Sequence, residues 1–360
     1  MNLKKWLIAF HNIEDRPYNR QVLLIFAITF FANFSSLSSQ PIRIGFGSCL
    51  DTKKDLKILS HLASERFDLF LFLGDTVYAD AKTPEELLAS YLELEQSKEF
   101  QKLKSSTPLD GTWDDHDYGT NDIGKEYRFK EDSQIAFLKF YGFPKESPIW
   151  KQEGVYHSRI VNRNGKKIKI LFLDTRYHRT ALHKKWYWFV LKWFRKGAYV
   201  PSTDEDQTIL GEAQWKWLET EAFEKVDFLI LVSSIQVLQL GNGLENWGNF
   251  PTEREKLFQV LKKIPSPFLV ISGDRHAGEI QYDKDLNFFE VTSSSLNKPL
   301  LFLQDTNEEN QYRIGTRVFE ENYGEIILDF SKQTSKVSLK SKEKKLLDSL
   351  EFLVQRKNQK

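Results

Sequence analysis

The stretch TWDDHDYGTND, residues 112–122, gathers Asp114, Asp115, Asp117 and Asp122 around His116 within nine positions. Like charges this close repel, so water, a basic partner or a cation must compensate them. Related residue types recur where apolar runs end. LGDTVYAD (73–80) places Asp75 directly after Gly74, and SGDRH (272–276) sets Asp274 two residues before His276. Carboxylate and imidazole are common ligands of divalent and trivalent metals. In extended backbone, positions i and i+2 point the same way, so Asp274 and His276 can face one ion. Asp115 and His116 are adjacent and point apart, so one can bind metal while the other faces substrate. Each stretch alone also reads as a turn or a solvated loop. Three of them together, holding two of the seven histidines, favour the cation.

Three more residues belong to the same chemistry. Cys49 ends GFGSC (45–49) and is either a buried thiol or a thiolate ligand. Tyr78 follows Asp75 by three residues, as a packing residue or as a phenolate, which suits Fe(III) better than zinc or magnesium. Arg176, two residues after Asp174 in LDTR, is a candidate clamp on a phosphate group or else an ion-pair partner for an acid.

The elements that must position these residues are short apolar strands alternating with helices. IRIGFGSC (42–49), FDLFLFLGD (67–75), IKILFLDTR (168–176), DFLILVSS (227–234) and PFLVISGDRH (267–276) are nearly continuously hydrophobic, as strands covered on both faces are. Residues 83–96, 210–223 and 251–263 carry helical patterns, the first with Thr83 as cap and Pro84 in the first turn. The alternation predicts an α/β fold, whose ligands collect at the carboxyl ends of strands. Late strands are expected within 286–341. Residues 342–360 are expected as a basic amphipathic helix and tail.

The chain has 360 residues, 41% of them hydrophobic, enough for one large core. Its 51 basic and 50 acidic residues nearly cancel, and no nucleic-acid-binding module is evident. One cysteine excludes an internal disulfide framework. A basic N-terminus, the apolar run 21–34 and the small polar residues 35–41 follow the order of a secretory signal. An uncleaved membrane anchor and a buried helix are the alternatives. Export to the periplasm or beyond is therefore expected, with the domain starting near residue 40 and acting as a monomer. Residues 183–199 interleave three Trp with Lys and Arg, as a membrane-surface helix, a basic lip for anionic esters, or a packed helix. Trp247 is a stacking candidate or a core residue.

Taken in order, GSC, LGDTVYAD, TWDDHDYGTND, FLDTRYHR, LGEAQWKWLE, WGNFPTER and SGDRHAGE resemble the PhoD-type alkaline phosphatases, within the calcineurin-like metallophosphoesterases. The likeness runs from about residue 42 to about residue 295. It implies a two-sheet β-sandwich flanked by helices in four layers, around a dinuclear metal centre. By it, Cys49, Asp75, Tyr78 and His276 hold one ion, Fe(III). Asp75 bridges to a second, Ca(II), held by Asp115 and Asp274, with zinc, manganese or magnesium as alternatives. Asp114, Asp117 and Asp122 would orient Asp115 from behind. His116 matches a histidine that in many relatives aids the leaving group or the transition state. Many relatives add a histidine from a middle strand, and LVSSIQVLQLGNG (231–243) has none, which fits an oxygen-rich second site. The expected reaction is hydrolysis of phosphate monoesters, diesters or both by a metal-activated water. The alternatives are an envelope phosphodiesterase acting on lipid or teichoic-acid-like polymers, and a non-catalytic binding protein stabilised by metal. In the family a C-terminal element can also shield the metal site.

Overall fold

The computed structural model describes residues 40–193, 197–300, 308 and 310–354. The expected leader or anchor, 1–39, and the last residues of the tail lie outside them. Among the described residues, no helix is long and apolar enough to cross a membrane.

The apolar runs form strands because both of their faces find a covering layer. The first half of the chain supplies β1 (Ile42–Gly47), β2 (Leu69–Leu73), β3 (Leu109–Thr112), β4 (His157–Arg163) and β5 (Lys166–Phe172). A two-residue ladder follows, β6 (His183–Lys184) with β7 (Tyr199–Val200), and then β8 (Phe228–Ser233) and β9 (Phe268–Ser272). The remainder are β10 (Gly278–Asp283), β11 (Phe288–Ser293), β12 (Arg313–Val318), β13 (Asn322–Asp329), β14 (Thr334–Ser341) and β15 (Leu346–Leu353).

One sheet has six strands in the order β15-β14-β13-β1-β2-β3, and the other has seven in the order β12-β10-β11-β9-β8-β5-β4. In the first, β1 runs parallel to β2, with Ile44 opposite Leu69, and antiparallel to β13, with Ile44 opposite Ile326. In the second, β5, β8 and β9 are parallel neighbours. Alternate side chains divide the work. Ile44 and Leu71 meet Ile170, Ile230 and Ile271 in an apolar layer between the sheets. Phe70 and Phe72 point the other way, onto α1 (Lys57–Glu65), α2 (Pro84–Gln96) and α3 (Lys98–Ser106). Three further helices follow: α4 (Asp115–Tyr118), α5 (Lys130–Phe140) and α6 (Trp188–Trp193). Leu171, Leu231 and Val270 cover the opposite face with α7 (Gly211–Ala222) and α8 (Pro251–Lys263). The layers are helix, sheet, sheet, helix, as the resemblance implied. Each fully buried Leu, Ile or Phe contributes about 1.5–3 kcal/mol, so this double core carries most of the stability.

The expected helices stand, and Thr83 accepts a capping hydrogen bond from the Glu86 amide at 3.4 Å. One expectation needs correction, and one open pair of readings is decided. Residues 342–360 were expected as a helix, but Leu346–Leu353 form the edge strand β15, with Leu350 opposite Val337 of β14. Leu350 and Phe352 alternate inward against the core, so sheet pairing overrode local helical pattern. Trp247 is wholly buried and donates to Ser233 Oγ at 3.0 Å, so it packs rather than stacking on a ligand.

Candidate metal centre

Both sheets deliver their chemistry at one rim. Cys49 follows β1, Asp75 and Tyr78 follow β2, Asp115 opens α4 just after β3, and Asp274 and His276 follow β9. The chain turns sharply at these strand tips. Cys49, Asp75, Asp274 and His276 all have positive φ, between 50° and 65°, without being glycine. This left-handed backbone costs a side-chain-bearing residue roughly 1–2 kcal/mol. Such strain persists only where the surroundings impose it, and it concentrates at functional sites.

Three groups of potential ligand atoms result, each with its atoms within 4.8 Å of one another: Cys49, Asp75 and His276; Asp75, Asp115 and His116; Asp114, Asp115 and Asp274. Asp75 belongs to two of them. In the first, Cys49 Sγ lies 3.5 Å from Asp75 Oδ2, and the Tyr78 hydroxyl donates to that oxygen at 2.7 Å. His276 Nε2 is 3.5 Å from the same hydroxyl. His276 Nδ1 bonds the Lys298 carbonyl at 2.6 Å, which turns Nε2 toward the cluster. All six residues predicted as ligands therefore converge. Asp274 and His276 do not face one ion as extended neighbours would. Their left-handed backbones send them to different groups.

The acidic crowd sorts into distinct tasks. Asp117 accepts from the amides of Asp114 at 2.6 Å, Thr76 at 3.0 Å and Asp75 at 3.2 Å, clamping the tips of β2 and β3 together. The Asp122 amide donates to Asp115 Oδ2 at 2.6 Å, while its carboxylate accepts from Tyr199. Asp114 does more than orient a neighbour. Its Oδ1 takes Arg176 Nε and Ser234 Oγ, both at 2.7 Å, yet its buried Oδ2 has no hydrogen-bond partner among the described residues. An orphaned buried carboxylate oxygen beside Asp115 and Asp274 is what a cation would satisfy, so the donor set fits a two-ion centre.

Charge points the same way. Burial, with Cys49 and Asp115 nearby, pushes the Asp75 carboxyl well above its usual range. Burial beside Asp114 and Asp115 does the same to Asp274. Burial also raises Asp114, against the pull of Arg176. For Asp115 the burial penalty is outweighed by Arg176, His116 and the Asp122 amide, which hold it at about 2. Desolvation would lower His116, but the Asp80 hydrogen bond and the Asp115 and Asp75 charges push it up to about 11. Its Nδ1 lies 2.6 Å from Asp80 Oδ1. Protein cations thus compensate only part of the acidic cluster.

Arg176 also requires a correction. It is wholly buried, with its NH1 bonded to Glu245 Oε2 at 2.7 Å and its Nε to Asp114. Both ends of the fork are taken by buried carboxylates, so it is not an open phosphate clamp. Asp174 is consumed as well, accepting from Trp113 Nε1 and from the amides of Val155, Arg176 and Tyr177.

Sequence reasoning missed Asp80, Ser294 and Lys298. Ser294 Oγ lies 3.1 Å from Cys49 Sγ and accepts from the His276 amide at 2.8 Å. Lys298 Nζ sits 3.1 Å from the centre of the Tyr78 ring. Asp80 stood two residues after Tyr78 and could have been found. No spacing links TSSSLNK to the other ligand stretches.

A family model for PhoD-like phosphatases matches residues 45–343. The solved structure of PhoD is similar with a TM-score of 0.66 and 17% identity, over 88% of this chain and 70% of that one. A dimetal phosphatase from Danio rerio is 11% identical with a TM-score of 0.54, over 88% of this chain and 100% of that one. No curated protein matches the sequence significantly.

Proposed function

Because the chain belongs to the PhoD-like phosphatase family, and is on that ground a metal-dependent phosphoric ester hydrolase, we propose that it is an exported enzyme acting on phosphate monoesters and diesters through an iron–calcium pair. The observation that carries the reading is a run of shared carboxylates: Asp75 belongs with Cys49 and His276 and also with Asp115 and His116, and Asp115 belongs in turn with Asp114 and Asp274. Cys49, Tyr78 and His276 offer thiolate, phenolate and imidazole, which suit Fe(III). Asp114, Asp115 and Asp274 offer only oxygen, which suits Ca(II). Bound there, two cations supply Lewis acidity, drawing charge from phosphoryl oxygens and lowering the pKa of water.

The protein groups do the rest. His116 is fixed by Asp80 through Nδ1, which leaves Nε2 to hand a proton to the departing oxygen. Its ring packs 4.3 Å from that of Tyr78, so the proton donor stays in register with the first ligand group. Lys298, ion-paired to Asp51 at 3.2 Å, adds positive charge at the rim, where an anionic ester would arrive. Arg176 fixes Asp114 from behind instead of touching substrate. Support for export is the apolar run 21–34 in its basic and small-residue setting.

Elemental analysis with a visible spectrum tests the metals, and rates on mono- and bis-(p-nitrophenyl) phosphate test the chemistry. Near-stoichiometric iron and calcium, a tyrosinate or thiolate charge-transfer band, and turnover of both chromogens are expected. A zinc- or manganese-only enzyme would overturn the first-site assignment. Full metal loading without turnover would overturn the catalytic one.

A further inference from the structure

The domain buries Trp113 and Trp247 completely, yet leaves two other tryptophans almost bare. Trp186 is 83% exposed and Trp193 84%, with Phe189 at 58% and Trp188 at 42% between them. All four lie between the short strands β6 and β7, on α6 and the turn before it. The packed-helix reading of this segment therefore fails. An exposed apolar patch of this kind marks a surface built to be covered.

Charge identifies what covers it. Residues 183–199 contain five Lys or Arg and no Asp or Glu. Lys184 is exposed, and its Nζ lies 5.2 Å from the Trp188 ring centre, so cation and indole share one face. Lys185 Nζ lies 6.0 Å from the Tyr187 ring. Bare indoles flanked by lysines match the boundary between lipid headgroups and acyl chains, where an apolar ring and a cation are both satisfied. A protein partner of mixed charge, or a second copy of the same basic surface, would leave those lysines unpaired.

The base of this projection is firmly held. The Lys185 amide donates to the Ala198 carbonyl at 2.9 Å, and the Tyr199 amide to the Gly243 carbonyl at 2.8 Å. Gly197 lies so close to Gly243 that an added Cβ would come within 2.4 Å of its carbonyl carbon. The Tyr199 hydroxyl donates to Asp122 at 2.5 Å, and the Asp122 amide in turn bonds Asp115. The arm is thus rooted two hydrogen bonds from a predicted metal ligand.

We propose that Lys184, Lys185, Trp186, Trp188, Phe189 and Trp193 form a docking arm for an anionic lipid surface, which brings the metal centre to phosphoesters held at that surface. The second clause rests on the hydrolase reading, and the first does not.

The test uses the full-length, metal-replete protein in sedimentation with vesicles of phosphatidylglycerol and phosphatidylcholine, one to one, and of phosphatidylcholine alone. Each cation near an anionic surface strengthens binding about five-fold, so K184Q/K185Q should lose about 25-fold on the anionic vesicles. Removal of both bare indoles, W186S/W193S, should weaken binding to either vesicle. All of these residues are on the surface, so thermal melts and turnover of soluble p-nitrophenyl phosphate should match wild type. Variants that bind vesicles like wild type would overturn the arm and assign attachment to another part of the chain. Wild type without preference for anionic vesicles would also overturn it, as would a wild-type dimer that W186S/W193S dissolves. Absent turnover with intact vesicle binding would sink only the hydrolase reading.

Discussion

Replacing Arg176 by Ala separates a structural cation from a substrate clamp. In the structure its Nε meets Asp114 Oδ1 at 2.7 Å and its NH1 meets Glu245 Oε2 at 2.7 Å, with all three side chains no more than 1% exposed. Deleting one member of such a group leaves buried carboxylates uncompensated, at a cost of about 3–5 kcal/mol. That is a large share of the roughly 5–15 kcal/mol that holds a typical domain together. With a urea slope of about 3 kcal/mol per molar, the unfolding midpoint of metal-replete R176A should fall by about 1–1.7 M. R176K keeps the charge but loses the planar fork, and should lie between wild type and R176A. The assay pairs urea unfolding with steady-state kinetics on p-nitrophenyl phosphate at saturating metal. An unchanged midpoint with KM raised tens of fold would refute the reasoning, because a guanidinium touching substrate behaves that way.

Substituting Asp75 by Asn weakens the carboxylate shared by both ligand groups. Activity should drop by more than about 100-fold and iron content should fall, with far-ultraviolet circular dichroism retained. H116N removes the proton donor but leaves Cys49, Asp75, Tyr78, Asp115, Asp274 and His276 in place, so metal content should hold while rates fall by about 10²–10⁴-fold. The loss should be smaller for p-nitrophenol than for an alkyl leaving group, and equal losses on both would refute the assignment. Glu290 lies buried beneath the amides of Val237 and Leu238, and burial raises it from 4.5 to about 7. The folded protein therefore retains a proton that the unfolded chain releases across that window, so stability should decline as pH rises through it. The decline should be no more than about 3 kcal/mol. Urea midpoints of E290Q should be flat by comparison, and an unchanged slope would place the effect elsewhere.

The fold was legible where the local pattern and the tertiary environment agree. The buried strands, Thr83 and Pro84 at the head of α2, and α8 opening on Pro251 all read correctly, because a residue alternating between two apolar layers leaves a continuous hydrophobic run. The end of the chain misled because LLDSLEFL fits helical spacing as well as alternation, and only β14 decides between them. At the site, residue type at strand tips found Cys49, Asp75, Tyr78, Asp115, Asp274 and His276. It could not show that left-handed backbones split Asp274 from His276. Nor could it show that Arg176 faces away from solvent, since ion-pair partners come together only in the folded chain. Glu245 lies 69 residues from Arg176 in sequence, and no motif joins them.

The left-handed turns at Cys49, Asp75, Asp274 and His276 have an evolutionary consequence. Glycine adopts such backbone freely, so at each position the residue that best suits folding is the one that cannot serve the reaction. Two of the four, Cys49 and Asp75, also leave a thiol and an acid wholly buried among other acids. Selection for stability and selection for turnover therefore pull in opposite directions at the same four codons. A lineage released from the need to hydrolyse phosphate esters would drift toward small, permissive residues here first, and its fold would tighten as the enzyme was lost.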